Sequence, residues 1–311
     1  MNVMKPIKHV PADNDVDKLI KNMKSAGFGA KKLAQAVDIL EEAIRDKETK
    51  LFIGVSGALI PAGMRLLLKD LTDWGDVFVV TGATLVHDLI EAVGEKHYQG
   101  NELADDVELN KKGINRIYDV FLPNKGYEEL EKWLHTIFDK IKEKYGDKKL
   151  SIKDFIYEIG KQVKDEESFL KAIVDKNIPI FCPGIEDSAI GFHYWSWMMK
   201  DSKNRLNIDT FEDIKDMMDL AWTSDRSSIF ILGGGFPKDF IIQAMQFSPK
   251  DHSSGVQINM DREETGGLSG AKLKEGISWG KLGHNAKHVS ITADITIVLP
   301  FIVASLKKRL K

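Results

Sequence analysis

Residues 228–237 of the chain read Ser228-Ile229-Phe230-Ile231-Leu232-Gly233-Gly234-Gly235-Phe236-Pro237. A short apolar run of strand length stops at three glycines and passes directly into a helical pattern, as a strand does where it meets the helix after it in a parallel sheet. The same alternation recurs on either side. Strands are expected at Lys50–Val55, Asp76–Val80, Ile178–Phe181, Ser228–Leu232, Val256–Asn259 and His288–Thr292. Apolar residues at three- and four-residue spacing predict helices over Asp15–Met23, Ala30–Arg45, Pro61–Leu71, Leu85–Val93, Tyr127–Tyr145, Ile152–Val163, Glu167–Asp175, Phe211–Trp222 and Thr296–Lys308. The reading is α/β: a doubly wound, mostly parallel sheet with helices on both faces. Composition does not shift along the chain and no repeat or linker interrupts it, so residues 1–311 read as one domain with 1–25 as a short N-terminal helical extension. The polar stretch Gln99–Gly113 reads as a surface loop.

A net charge of −3 with scattered basic residues lacks the footprint of a nucleic-acid binder. Cys182 has no second cysteine to pair with and no metal-type Cys/His spacing around it. This points to a reducing compartment, the cytoplasm, and to no metal. The N-terminus lacks the apolar core of a signal peptide. The longest apolar run, Ile295–Ala304, contains Pro300 and is far short of the ~20 residues of a membrane span. No membrane association is expected.

Four places carry chemistry in principle. At Gly233-Gly234-Gly235 the backbone can approach a ligand, and the following helix terminus favours a phosphate; a tight turn explains it equally well. Thr81-Gly82 forms a similar junction, with helix capping as the alternative. In Ser278-Trp279-Gly280-Lys281, preceded by Glu275 and the loop holding Gly266 and Gly267, a lysine beside a large aromatic ring can serve as an imine-forming nucleophile. The alternative is a solvated surface lysine. Finally, Asp187 and Asp294 follow strands, where an acid binds a ribose hydroxyl or caps a helix, and His87-Asp88 lies on a helix at the same sheet edge. The cluster Phe192, His193, Tyr194, Trp195, Trp197 suits a pocket wall, helical core packing or a subunit interface.

From about Ala26 onward these segments resemble deoxyhypusine synthase. The resemblance rests on Phe52-Ile53-Gly54 with Ile60 to Gly63, Val80-Thr81 through His87-Asp88-Leu89, Gly113 to Ile117 with Leu122-Pro123-Asn124, and Asp154 to Gly160. It continues through Ile178 to Pro183, Leu232 to Gly235, Leu268 to Ala271, Glu275 to Lys281 and Ala293-Asp294. His87-Asp88 and Leu268-Ser269-Gly270 look like archaeal members.

The resemblance implies a Rossmann-like subunit in a homotetramer, using NAD. It implies spermidine as donor of an aminobutyl group, which passes through an imine on Lys281 to a lysine of the hypusine-bearing translation initiation factor 5A. It further implies Ser56, Thr81, Gly82, Asp187, Gly233 and Asp294 as cofactor contacts, and Gly234, Gly266, Gly267, Glu275 and Trp279 at the polyamine; Asp239, standing where the family has a histidine, and the proton-exchanging His87 are read as catalytic groups with Lys281.

Where the family usually has Lys-His-His after the triple glycine, this chain has Lys238-Asp239-Phe240. Phe192 replaces an acid near the donor's far amine. Val86, Thr265 and Gly57-Ala58 also depart from the pattern. Two alternatives therefore accompany the reading: a paralogue acting on another polyamine donor or acceptor, of homospermidine synthase type, and a non-catalytic regulatory subunit.

Overall fold

The computed structural model describes residues 5–311, so the first four residues of the expected N-terminal extension lie outside the described residues. The chain divides into two compact units. The first draws on residues 5–54, Trp74–Asp76 and Met218–Lys311, the second on Val55–Asp73 and Val77–Met217.

In the first unit the strands run in the order Leu282–Thr292, His252–Asn259, Arg226–Leu232, Thr49–Val55. The middle strand pairs in parallel with both neighbours in matched register: Val256 faces Phe230 and Val289, and Ile258 faces Leu232 and Ile291. Ile229, Phe230, Ile231 and Leu232 are all buried, as a parallel strand covered on both faces requires. The helix Phe28–Arg45 packs along these strands through Leu33, Val37 and Leu40. The helix Val16–Met23, capped by Asp15, lies against the C-terminal helix Ile295–Arg309 of the same unit. Arg309 fastens this corner by pairing with Asp17, Asp38 at 2.9 Å and Glu41 at 3.0 Å.

The second unit holds the parallel strands Val77–Val80 and Ile180–Phe181. Its helices Asn124–Tyr145, Ile152–Gly160 and Ala189–Lys200 meet around Phe138, Phe155, Tyr194 and Trp197, whose rings lie 5.5 to 5.9 Å apart. The aromatic cluster read from sequence is thereby divided. Trp197 is core, while Phe192 and Trp195, on the opposite side of the helix, are 65% and 57% exposed.

The α/β class expected from sequence is observed, and the expected strands end where expected, but those expected from Val256 and His288 begin earlier, at His252 and Leu282, and the helix Ala189–Lys200 is not among the expected ones. The Gln99–Gly113 stretch differs. It carries the helix Asp106–Lys111, capped by Asp105, beside a small antiparallel sheet of Tyr98–Gln99, Val120–Pro123 and Ile114–Ile117. Local capping orders a segment whose polarity alone reads as loop. No described helix is long and apolar enough to cross a membrane.

Candidate active site

Parallel pairing brings three strand ends of the first unit level with one another. Beyond Leu232, Asn259 and Thr292 the chain continues as Gly233-Gly234, Met260-Asp261 and Ala293-Asp294. Two backbone bonds extend the ladders past the strands, from Gly233 N to Ile258 O and from Ala293 N to Asn259 O. This carboxyl edge is where open α/β sheets bind ligands.

The triple-glycine turn opens the helix Gly235–Gln246, with Gly233 and Gly235 at φ of 96° and 62°. Gly234 is required for another reason: a Cβ there would lie 2.3 Å from Ser269 Oγ and 2.6 Å from Ser269 Cα. The loop bearing Ser269 thus presses against the turn. Gln257 and Asn259 both donate to the Ser269 carbonyl and hold it there.

After this loop, the short helical turn Leu273–Ile277 carries Glu275, and Gly280, in the left-handed region at φ 67°, reverses the chain. A bond from Lys281 N to Gly276 O closes the reversal at 2.9 Å. Trp279 and Lys281 consequently share one side, with Nζ 5.3 Å from the indole centroid. Lys281 is only 9% exposed, and its ammonium lies 3.9 Å from Asp239 Oδ1. Asp239 is itself held by Gln243, which donates to its other oxygen.

These residues line one cavity of about 490 Å³, with Gly266, Glu275, Trp279 and Lys281 on one side and Lys238, Asp239 and Gln243 on the other. An amine nucleophile, two carboxylates and an aromatic face are the components needed to bind a polycation and form an imine with part of it.

The remaining sequence-derived residues lie outside this cavity. Asp294 caps the C-terminal helix, accepting from Thr296 N at 2.8 Å. Gly267 is exposed on the loop next to Gly266. In the second unit Thr81 caps the helix Gly82–Ala92, and Gly82 sits so close to Ser188 that a Cβ would lie 2.3 Å from its side chain. Asp187, next to Ser188, is exposed, and Ser56 is half-buried just after the strand Thr49–Val55.

His87 and Asp88, read as a pair, do different things. His87 is buried in a chain to His97 Nε2 at 2.9 Å, and His97 bonds Glu91 at 2.8 Å. Burial, with the neighbouring His97, lowers the pKa of His87 to about 4. Asp88 is fully buried, pairs with Arg65 at 2.7 Å, and accepts from Ser168 Oγ and from the amides of Phe169 and Leu170. Its role is to anchor the helix Phe169–Asp175.

Sequence reasoning missed Lys238 and Gln243 as site residues. The available signal was a lysine on the apolar stripe of Ile241, Ile242 and Met245. Among the described residues no group of three or more His, Cys, Asp or Glu is arranged for a metal.

A family model described as deoxyhypusine synthase matches residues 18–306. This chain belongs to the deoxyhypusine synthase family. It is 42% identical to a protein named probable deoxyhypusine synthase 1 from Methanosarcina acetivorans, covering 99% of this chain and 95% of that one. It is 33% identical to a second such protein of the same organism, named probable deoxyhypusine synthase 2, over 96% of this chain and 90% of that one. The fold matches a solved structure described as a candidate deoxyhypusine synthase from Entamoeba histolytica, with a TM-score of 0.67 at 17% identity over 93% and 92% of the two chains. Membership of the deoxyhypusine synthase family marks the chain as a transferase homologue.

Proposed function

We propose that this protein transfers the aminobutyl group of spermidine, with NAD, through an imine on Lys281 to a lysine of translation initiation factor 5A, as a cytoplasmic homotetramer. The observation that carries this reading is the Lys281 amine, almost buried, facing Asp239 and Trp279 in the same cavity as Glu275. A desolvated polycation needs carboxylate or aromatic partners, and this cavity supplies both.

The residues present also suit a dinucleotide. The Gln257 Oε1 is buried without a partner among the described residues, in a smaller recess with Asn259, Asp261 and Thr292. It is an acceptor that a ribose hydroxyl would satisfy. At this edge of the first unit, Gly233 and Asp294 are the residues we assign to NAD. When bound, NAD would accept a hydride from the carbon beside the secondary amine and later return it.

Within this reading, Glu275 and Asp239 hold donor ammonium groups, and Trp279 covers the chain between them. Lys281, as a neutral amine, adds to the imine carbon while 1,3-diaminopropane departs. The test is release of diaminopropane by purified protein given NAD and spermidine, and its absence in Lys281→Ala. Protein that binds NAD but releases none would contradict the proposal.

The position of Asp239, 3.9 Å from the reactive amine where the family usually has histidine, favours a second reading: a paralogue with another polyamine donor or acceptor. Product mass separates the two.

A further inference from the structure

The cavity contains a second lysine, buried more deeply than the first: Lys238 is 2% exposed against 9% for Lys281. It lies in the first turns of the helix Gly235–Gln246. Its Nζ donates to the carbonyls of Leu268 at 2.8 Å and Ala271 at 2.5 Å. The charged groups around it are Glu275 and Lys272 from the segment that follows this loop, Lys281 ahead of the strand Leu282–Thr292, and Asp239 on its own helix.

Both partners of Nζ are neutral acceptors. An ammonium has three N–H bonds and a neutral amine two, so both carbonyl bonds survive loss of a proton. Only the third position changes, from donor to lone pair. Burial and, more weakly, Lys281 lower the Lys238 pKa to about 8, against the opposing pull of Glu275 and Asp239.

We propose that Lys238 is the proton carrier for the nitrogen exchange at Lys281. The proposal rests on the imine reading above. When the Lys281 amine adds to the donor's protonated imine, a C–N bond forms and the Lys281 nitrogen gives a proton to neutral Lys238. When the C–N bond to the departing amine breaks, its electron pair goes to that nitrogen, which has received the proton from Lys238. The imine is then on Lys281, and no net proton or electron has been consumed.

The test is the single-turnover rate of borohydride-trapped adduct on Lys281, measured from pH 6.5 to 9.5 in NAD-loaded protein. In the wild type the rate is expected to rise through a midpoint near 8. Lys238→Arg keeps the charge and can bond both carbonyls but does not release a proton in this range. Its rate is expected to fall about 100-fold or more, with the rise near pH 8 lost and NAD binding unchanged. A wild-type-like rate and profile in Lys238→Arg, with loss only in Lys238→Met, would reduce Lys238 to a tether for the loop and overturn the proposal. A wild type that traps no adduct at any pH would overturn the imine reading itself, and the proposal with it.

Discussion

At Lys281 the local chemistry is set by three neighbours: the Asp239 carboxylate, the Trp279 ring and, in the same cavity, Glu275. Asp239→Asn keeps the size of the side chain and a carbonyl oxygen for the Gln243 bond, but removes the charge. A charged partner in a partly buried site contributes about 1.5–3 kcal/mol, so kcat/KM for the polyamine is expected to fall about tenfold to a hundredfold. Unchanged kcat/KM would remove Asp239 from donor binding. Lys281, Trp279 and Glu275 could be read in the sequence because they fall within one short segment. Lys238 was harder to read: its place on the apolar stripe marks it as buried, but its partners, Leu268 and Ala271, lie some thirty residues later.

Among the elements, Asp88 joins the helix Gly82–Ala92 to the start of the helix Phe169–Asp175. It accepts from Ser168, Phe169 and Leu170 and pairs with Arg65, which is 6% exposed. Replacing it with asparagine leaves the guanidinium without its buried charge partner, although Asp165 at 2.7 Å remains. Breaking such a pair costs about 3–5 kcal/mol, and urea unfolding of Asp88→Asn should show a loss of this size. A loss below about 1 kcal/mol would mean that the Asp165 contact suffices.

Strand ends and helix runs were legible because apolar periodicity is local, and Thr81 and Asp294 were legible as caps for the same reason. The separate roles of His87 and Asp88 were not. Adjacent helix residues point in different directions, and their partners, His97 and Ser168–Leu170, lie in different later segments.

At the scale of the whole molecule, buried titrating groups set the response to acid. His87 and His252 are held neutral by burial, with pKa values lowered to about 4 and about 3. Between those values and the ordinary 6.5 the unfolded chain binds more protons, so stability rises with pH by about 1.4 kcal/mol per pH unit for each histidine. Asp213 acts in the opposite sense. Burial raises its pKa to about 6, so its contribution falls as pH rises from 3.8 to 6. Two groups outweigh one, and unfolding free energy from urea melts is expected to increase between pH 4 and 6.5. A decrease over that interval would show that the histidines titrate normally in the fold.

Covalent loading of Lys281 is the step on which the proposed transfer depends. Its most direct test is intact-protein mass after incubation with NAD and spermidine and reduction with borohydride, comparing wild type with Lys281→Arg. An aminobutyl-sized increase is expected on the wild type and none on the variant. An increase of the same size on both proteins would place the adduct elsewhere, and no increase on NAD-bound wild type would contradict the lysine mechanism for this donor.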